Sequence, residues 1–241
     1  MLKIIICLLF TSVCFAAPIG GFLNMQGMNG DVDTGTVPED LWASGGAYPF
    51  PASATTTTIE SGSSNDAAAG TGARTVEVVG LNSSLAEIRE TATMNGTNAV
   101  TLTNSFYRIN YIKVLTVGSG GVNAGILSVK HSSTVIGYVA AGDGQSNSAV
   151  YTVPVQAKLL GVRASVVTAS QSGTFQLQVR ENGGSWRTVY EVAVSAAVSP
   201  SYVPFSSPIS IPAGSDIRLR ATAISADNTA VKGGFDLSFM K

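Results

Sequence analysis

From about residue 54 to the C-terminus, apolar and polar side chains alternate with a period of two, the spacing that puts successive residues on opposite faces of a β-strand. Phe175, Leu177 and Val179 face one way and Gln176, Gln178 and Arg180 the other. A hairpin loop at Glu181-Asn182-Gly183-Gly184-Ser185 follows. On the return, Trp186, Thr188, Tyr190, Val192 and Val194 oppose Arg187, Val189, Glu191 and Ala193. Beyond the turn Pro212-Ala213-Gly214-Ser215, Ile217 and Leu219 alternate with Arg218 and Arg220, and Phe235, Leu237 and Phe239 with Asp236 and Ser238. Regularly spaced strands, one face apolar and one polar, predict an all-β protein built as an antiparallel β-sandwich of the jelly-roll or immunoglobulin-like kind.

The stretch from Asn65 to Gly96 has the same grammar. Val76 and Val78 oppose Thr75 and Glu77, the chain turns at Gly80-Leu81-Asn82, and a second arm stops at Asn95-Gly96, which makes a β-meander. Ser84-Leu85-Ala86-Glu87 also fits a helix N-cap with an acid three residues on. The strand reading is preferred because β-branched runs and Asn/Gly turns bracket it. Glu90 then shares a face with Ile88 and Ala92, where its charge needs a partner such as an arginine, or marks a bulge. Strands continue over 106–117, 126–130 and 134–140. The polar break Gly142-Asp143-Gly144-Gln145-Ser146-Asn147 divides a first sandwich, 55–143, from a second, 147–241.

Residues 18–54 are punctuated by Gly and Pro too often for a long regular element. They nevertheless carry Phe22, Leu23, Trp42, Tyr48 and Phe50. The expectation is an extended arm lying across its own sandwich or a neighbour, with Trp42, Tyr48 and Phe50 as inter-subunit interface anchors, since buried aromatics dominate interface energetics.

Composition narrows the function classes. Charged residues are 12% of 241, with 14 Lys and Arg against 15 Asp and Glu. That is about half the usual globular share and suits a surface covered by sister chains. The cations are scattered singly, so neither a nucleic-acid stripe nor a polybasic membrane patch is present. At the N-terminus, Lys3, the apolar run Ile4 to Phe15 and the small pair Ala16-Ala17 read as a secretory signal over residues 1–17, cleaved after Ala16. The run is too short to span a bilayer, and Thr11-Ser12-Val13 before Cys14 does not fit a lipoprotein signal. The alternatives are a buried apolar leader or a misplaced start codon. Both cysteines, Cys7 and Cys14, lie inside it, so a processed chain would have no thiol.

Candidate chemistry is sparse. His131 is the only histidine, and with no Cys outside the leader neither a serine-type triad nor a His-based zinc site can be built. It reads as a solvated turn residue. Asn29, Asp31, Asp33 and Asp40 have the spacing of a calcium loop, but Thr34 stands where glycine is needed and Asp40 where a bidentate Glu is wanted, so an Asx-rich turn is preferred. Glu181 and Glu191 flank a hairpin as a glycosidase pair could, yet they lie among Arg180 and Arg187 and read as surface charge pairing. Trp186 and Tyr190 form an aromatic stripe that fits a sandwich core better than a sugar platform. Asn82-Ser83-Ser84 and Asn95-Gly96-Thr97 are glycosylation sequons that are also ordinary turns. No catalytic, cofactor-binding or metal-binding residue is expected.

Several motifs occur in order along this span: DVDTGTVPEDLWASGGAYPFP at 31–51, GTGARTVEVVGL at 70–81, VLTVGSGGVNAGILSV at 114–129, YTVPVQAKLLGVRASV at 151–166, ENGGSWRTVYEV at 181–192, ISIPAGSDIRLRATA at 209–223 and GGFDLSF at 233–239. Together they resemble virion structural proteins of tailed bacteriophages, of the capsid decoration, cement or fibre-like kind. The resemblance implies a β-rich body on the particle with no catalytic site and no cofactor. Its implied partners are copies of itself and other virion proteins, without nucleic acid and, once the leader is removed, without a membrane. Residues 1–17 point the other way, towards export. The alternative is therefore a secreted carbohydrate-binding or adhesion module whose ligand is a glycan.

Overall fold

The structure, a computed structural model, describes residues 21–198 and 201–240; the leader expected over 1–17 lies outside the described residues. Its elements are β1 (Phe22–Val32), β2 (Glu39–Asp40), β3 (Thr57–Ser61), β4 (Ala73–Leu81), β5 (Glu87–Thr93), β6 (Val100–Thr101), β7 (Arg108–Val117), β8 (Leu127–His131) and β9 (Thr134–Val139). They continue with β10 (Val150–Thr152), β11 (Ala157–Val166), β12 (Ser172–Arg180), β13 (Arg187–Ser195), a 3-10 turn (Ala196–Val198), β14 (Ser201–Ile211), β15 (Asp216–Ile224) and β16 (Thr229–Phe239). The architecture is the all-β antiparallel sandwich that the alternation predicts.

The sheets separate into two sandwiches. In the larger, one sheet runs β1-β16-β11-β14 and the facing sheet runs β10-β15-β12-β13, with β2 also paired to β15. Followed along the chain, the strands pass between the two sheets in the order of a jelly roll. β2 and β10 occupy one strand position together. β2 pairs with Arg220 and Ala221, and β10 pairs with residues 216–218 of the same β15. The joint is closed where Leu41 N donates to Leu219 O, Leu219 N to Ala149 O and Ala149 N to Leu41 O. Between these two half-strands the chain leaves and builds the smaller sandwich, with sheets β6-β3-β8-β9 and β5-β4-β7. The smaller sandwich is thus an insertion into one strand of the jelly roll.

Each sandwich has its own core. Leu159, Phe175, Leu177, Leu219, Phe235 and Leu237 are buried in the jelly roll, and Ile59, Val76, Val78, Phe106, Ile112 and Ile136 in the insertion. Full burial of such side chains contributes about 1.5–3 kcal/mol each.

The segment expected as an arm is not free. Phe22–Val32 forms an eleven-residue strand that pairs with β16 from Phe22↔Ser238 to Asn29↔Val231. Its glycines, which read as breaks, are a packing requirement at one position at least. A Cβ on Gly27 would come within 2.1 Å of Leu41 O and 2.3 Å of Ala149 N, so β1 crosses the β2–β10 joint at backbone contact distance. At the other end of this sheet, β14 carries Pro204 and Pro208 on an edge strand, where a missing N–H costs no ladder bond.

Candidate functional site: the seam between the sandwiches

Two chain segments, 43–56 and 140–149, connect the insertion to the jelly roll, and what fixes their geometry is a buried polar seam. Arg108 opens β7 and points its guanidinium across to Asp216 at the start of β15. Nε lies 3.1 Å from Oδ1 and Nη2 3.2 Å from Oδ2, and both side chains are about 5% exposed. Arg180 of β12 reaches the same carboxylate, and Thr152 Oγ1 donates to it at 2.6 Å. Two residues along β7, Asn110 exchanges two bonds with Thr152: Nδ2 donates to the carbonyl at 2.9 Å, and Oδ1 accepts from the N–H at 3.0 Å. A side-chain amide here continues the hydrogen-bond ladder where no neighbouring strand exists.

A run of aromatic rings packs beside this network. Trp42, Tyr48, Phe50 and Trp186 stack edge to face in sequence, with centroids 5.1, 4.8 and 4.9 Å apart. Tyr48 Oη donates to Ile136 O of the insertion, and burial pushes its phenol above the ordinary value. Arg180 lies over Phe50 and Trp186, and Arg218 lies 3.9 Å from the Trp186 centroid.

A second buried acid, Asp40, pairs with Arg220 at 3.2 Å and Arg218 at 3.7 Å and accepts the Tyr48 N–H. Burial raises the Asp40 carboxyl although both arginines pull it down. Burial also lowers Arg218 to about 10 against the pull of Asp40. Desolvation therefore outweighs attraction for both partners. Replacing such a buried pair by packed apolar residues is often close to neutral, whereas losing one member strands the other charge at a cost of about 3–5 kcal/mol.

At the far end of the insertion, Asp66 does comparable work on loops. Fully buried, its carboxylate accepts from Ser61 Oγ and from the N–H groups of Ala73, Ala124 and Gly125 at 2.6–2.8 Å. Burial alone would raise this acid, but the four hydrogen bonds together hold it below its ordinary value.

The residues singled out from sequence are distributed as follows. Trp42, Tyr48 and Phe50, put forward as inter-subunit anchors, are 5%, 5% and 9% exposed. They hold the chain's own two sandwiches together, which leaves little ring surface for another subunit. Trp186 joins them, and Tyr190 packs against Phe205 at 5.5 Å. Glu181 pairs with exposed Arg187, and Glu191 accepts from Gln176. His131 ends β8 rather than sitting in a turn; it is partly buried, and burial lowers its basicity. Among the described residues, no acid or thiol lines the shallow cup beside it. The calcium-spaced residues do not converge: Asn29 donates to Glu39, Asp33 accepts the Asn228 N–H, and Asp40 lies under its arginines. Glu90 finds neither an arginine nor a bulge, and accepts instead from Thr103 N, Asn104 N and Asn104 Nδ2.

Sequence reading missed Arg108, Asn110, Thr152, Asp216 and Asp66. One signal is present: Arg108 and Asn110 lie on the same alternating face as Phe106 and Ile112, so two polar groups occupy an inward face and require buried partners. Nothing in the sequence names those partners.

No known protein family and no curated protein matches this sequence. Among solved structures, the chain is similar to three from infectious bursal disease virus. One is the VP2 subviral particle, at 13% identity and TM-score 0.22; another is the Gx strain, at 14% and 0.22; the third is the Gt strain, at 13% and 0.23. Each alignment covers 91% of this chain and 72% of the other. TM-scores this low establish neither a shared fold nor a shared function.

Proposed function

We propose that this protein is a non-enzymatic structural component of a tailed-phage virion, of the decoration or cement type, which self-associates and docks on the particle. The observation that carries this reading is how its buried charges are used. Arg108 and Asp216 pair across the seam between insertion and jelly roll, while Asp40, paired with Arg218 inside the jelly roll, holds the connecting segment at Tyr48. These contacts hold the two sandwiches against each other. Jelly rolls are a frequent architecture of capsid and lectin domains, which supports the reading by analogy of fold alone, and the ordered motifs along residues 31–241 add to it. The test is mass spectrometry and sedimentation of purified particles from the host that carries the gene. Stoichiometric incorporation of the chain supports a virion role. Its absence from particles, or a chain that stays monomeric at every concentration, overturns it.

A second reading, an exported adhesion or carbohydrate-binding module, is favoured by the N-terminal pattern of Lys3, an apolar run and Ala16-Ala17. N-terminal sequencing of the protein recovered from culture medium separates the two: a mature chain beginning at Ala17 outside the cell favours the module.

A further inference from the structure

Beside the seam, the outer face of the β5-β4-β7 sheet looks across at the beginning of β1 and at the chain around β10. The two sandwiches leave a cleft of about 490 Å³ between them, within the size range of small-molecule sites. One wall carries alternating charges. Arg89 of β5 lies between two acids, 2.8 Å from Glu87 and 3.9 Å from Glu77 of β4, and the strand register sets Lys113 of β7 opposite Glu77. Beside them Tyr111 Oη donates to Gln145 at 2.9 Å. The opposite wall is mostly apolar, formed by Leu23, Met25, Pro154 and the rings of Tyr151 and Phe239, with the polar Asn24 between Leu23 and Met25 already donating to Asp236. At the rim stands Phe22, 82% exposed, the most exposed large apolar side chain among the described residues.

We propose that this cleft binds a neutral saccharide. Carboxylates only accept hydrogen bonds and guanidinium and ammonium groups only donate them. A wall that interleaves the two is satisfied by groups that do both, and sugar hydroxyls do. Two acids against two bases give the wall no net charge, so neither an anion nor a cation has an electrostatic advantage. A pyranose also has an apolar C–H face, which matches the opposite wall, and Phe22 offers an aromatic ring at the entrance for that face to stack on. An exposed phenyl has no role in the fold at this position, since β1 is held by its ladder to β16 and by Met25 beneath it. Saccharide binding does not depend on a virion role, because the cleft belongs to a single chain.

The test is titration of the full-length protein with the methyl glycosides of glucose, galactose, mannose, N-acetylglucosamine and N-acetylgalactosamine, followed by amide chemical shifts. At least one glycoside should give saturable shifts concentrated at Phe22–Met25, at Glu77 to Arg89 and at Tyr111 to Lys113. Phe22→Ala should weaken that binding about three- to tenfold, and Glu87→Gln about tenfold or more. Tyr202→Ala, which removes an exposed ring from β14 at the opposite edge of the sheet, should leave it unchanged. Phe22 is exposed, so its variant keeps the fold and its thermal midpoint. Silence from every glycoside overturns the proposal. So does binding that Phe22→Ala and Glu87→Gln leave intact, or tighter binding of glucuronate or glucosamine than of the neutral sugars.

Discussion

The two sandwiches are assembled in opposite ways. The insertion is contiguous, with all seven of its strands drawn from residues 57–139. The jelly roll is discontinuous: it is completed only when Phe22–Val32 pairs with the strand that ends at Phe239 and when β2 and β10 meet across the excursion of more than a hundred residues between them. The longest-range ladder of the insertion, β3 to β8, joins Ser61 to Leu127 and stays within the insertion's own residues. The jelly roll closes its first sheet across most of the chain length, at a larger loop-closure entropy. The insertion should therefore be the autonomous unit and the jelly roll the dependent one.

The largest expected effect breaks that comparison outright. Deleting residues 1–32 removes β1, uncovers Phe235 and Leu237, and should abolish the jelly-roll fold. A fragment spanning 55–143 should still fold, with dispersed amide shifts and a cooperative thermal transition. If both pieces fold, or neither does, the asymmetry is wrong.

Next is the seam. Asp216→Ala strands Arg108 in a buried site and should cost about 3–5 kcal/mol. In calorimetry, the single transition of the intact chain should split in two as the sandwiches uncouple. Trp42→Ala should cost about 3 kcal/mol through the cavity it leaves, again mainly at the seam, and should not alter self-association. Asp66→Asn acts at the far end, on the insertion alone, and should cost about 1–3 kcal/mol, visible as faster amide exchange at Ala73, Ala124 and Gly125.

The smallest effect is in pH. Glu39, Asp66 and Glu90 are held below their ordinary values: burial pushes each up, but their hydrogen bonds outweigh it. The unfolded chain therefore takes up protons first as pH falls, so stability is full above the ordinary carboxylate value, 4.5 for Glu39 and Glu90 and 3.8 for Asp66, and declines below it. Asp40 is raised and works in the opposite direction, because its folded form binds a proton first. Asp40→Asn should therefore steepen the acid decline, which urea melts between pH 6 and 3 would measure as a change in slope of ~1 proton or less.

What could be read in the sequence divides along the same contrast. Strands such as Phe175–Val179 and Ile217–Leu219 announce themselves because each packs one face on a core and turns the other to solvent or polar partners. β1 does not, because its central glycine is dictated by a crossing with Leu41 and Ala149, which are distant in sequence. The seam is half legible. Arg108 and Asn110 advertise a need for partners, but Asp216 lies 108 residues away and Thr152 42 residues from Asn110, and no local pattern encodes those meetings. Trp42, Tyr48 and Phe50 stand out as anchors; what they anchor depends on where the chain comes back, which composition does not carry.

The most direct test of the closing strand is amide hydrogen exchange along Phe22–Val32 in the intact protein. If the jelly roll is closed by this strand, the amides bonded to β16 exchange as slowly as those of β16 itself. Exchange of the whole segment at the rate of an unstructured peptide would mean that it is an arm after all, and that the jelly roll lacks its closing strand.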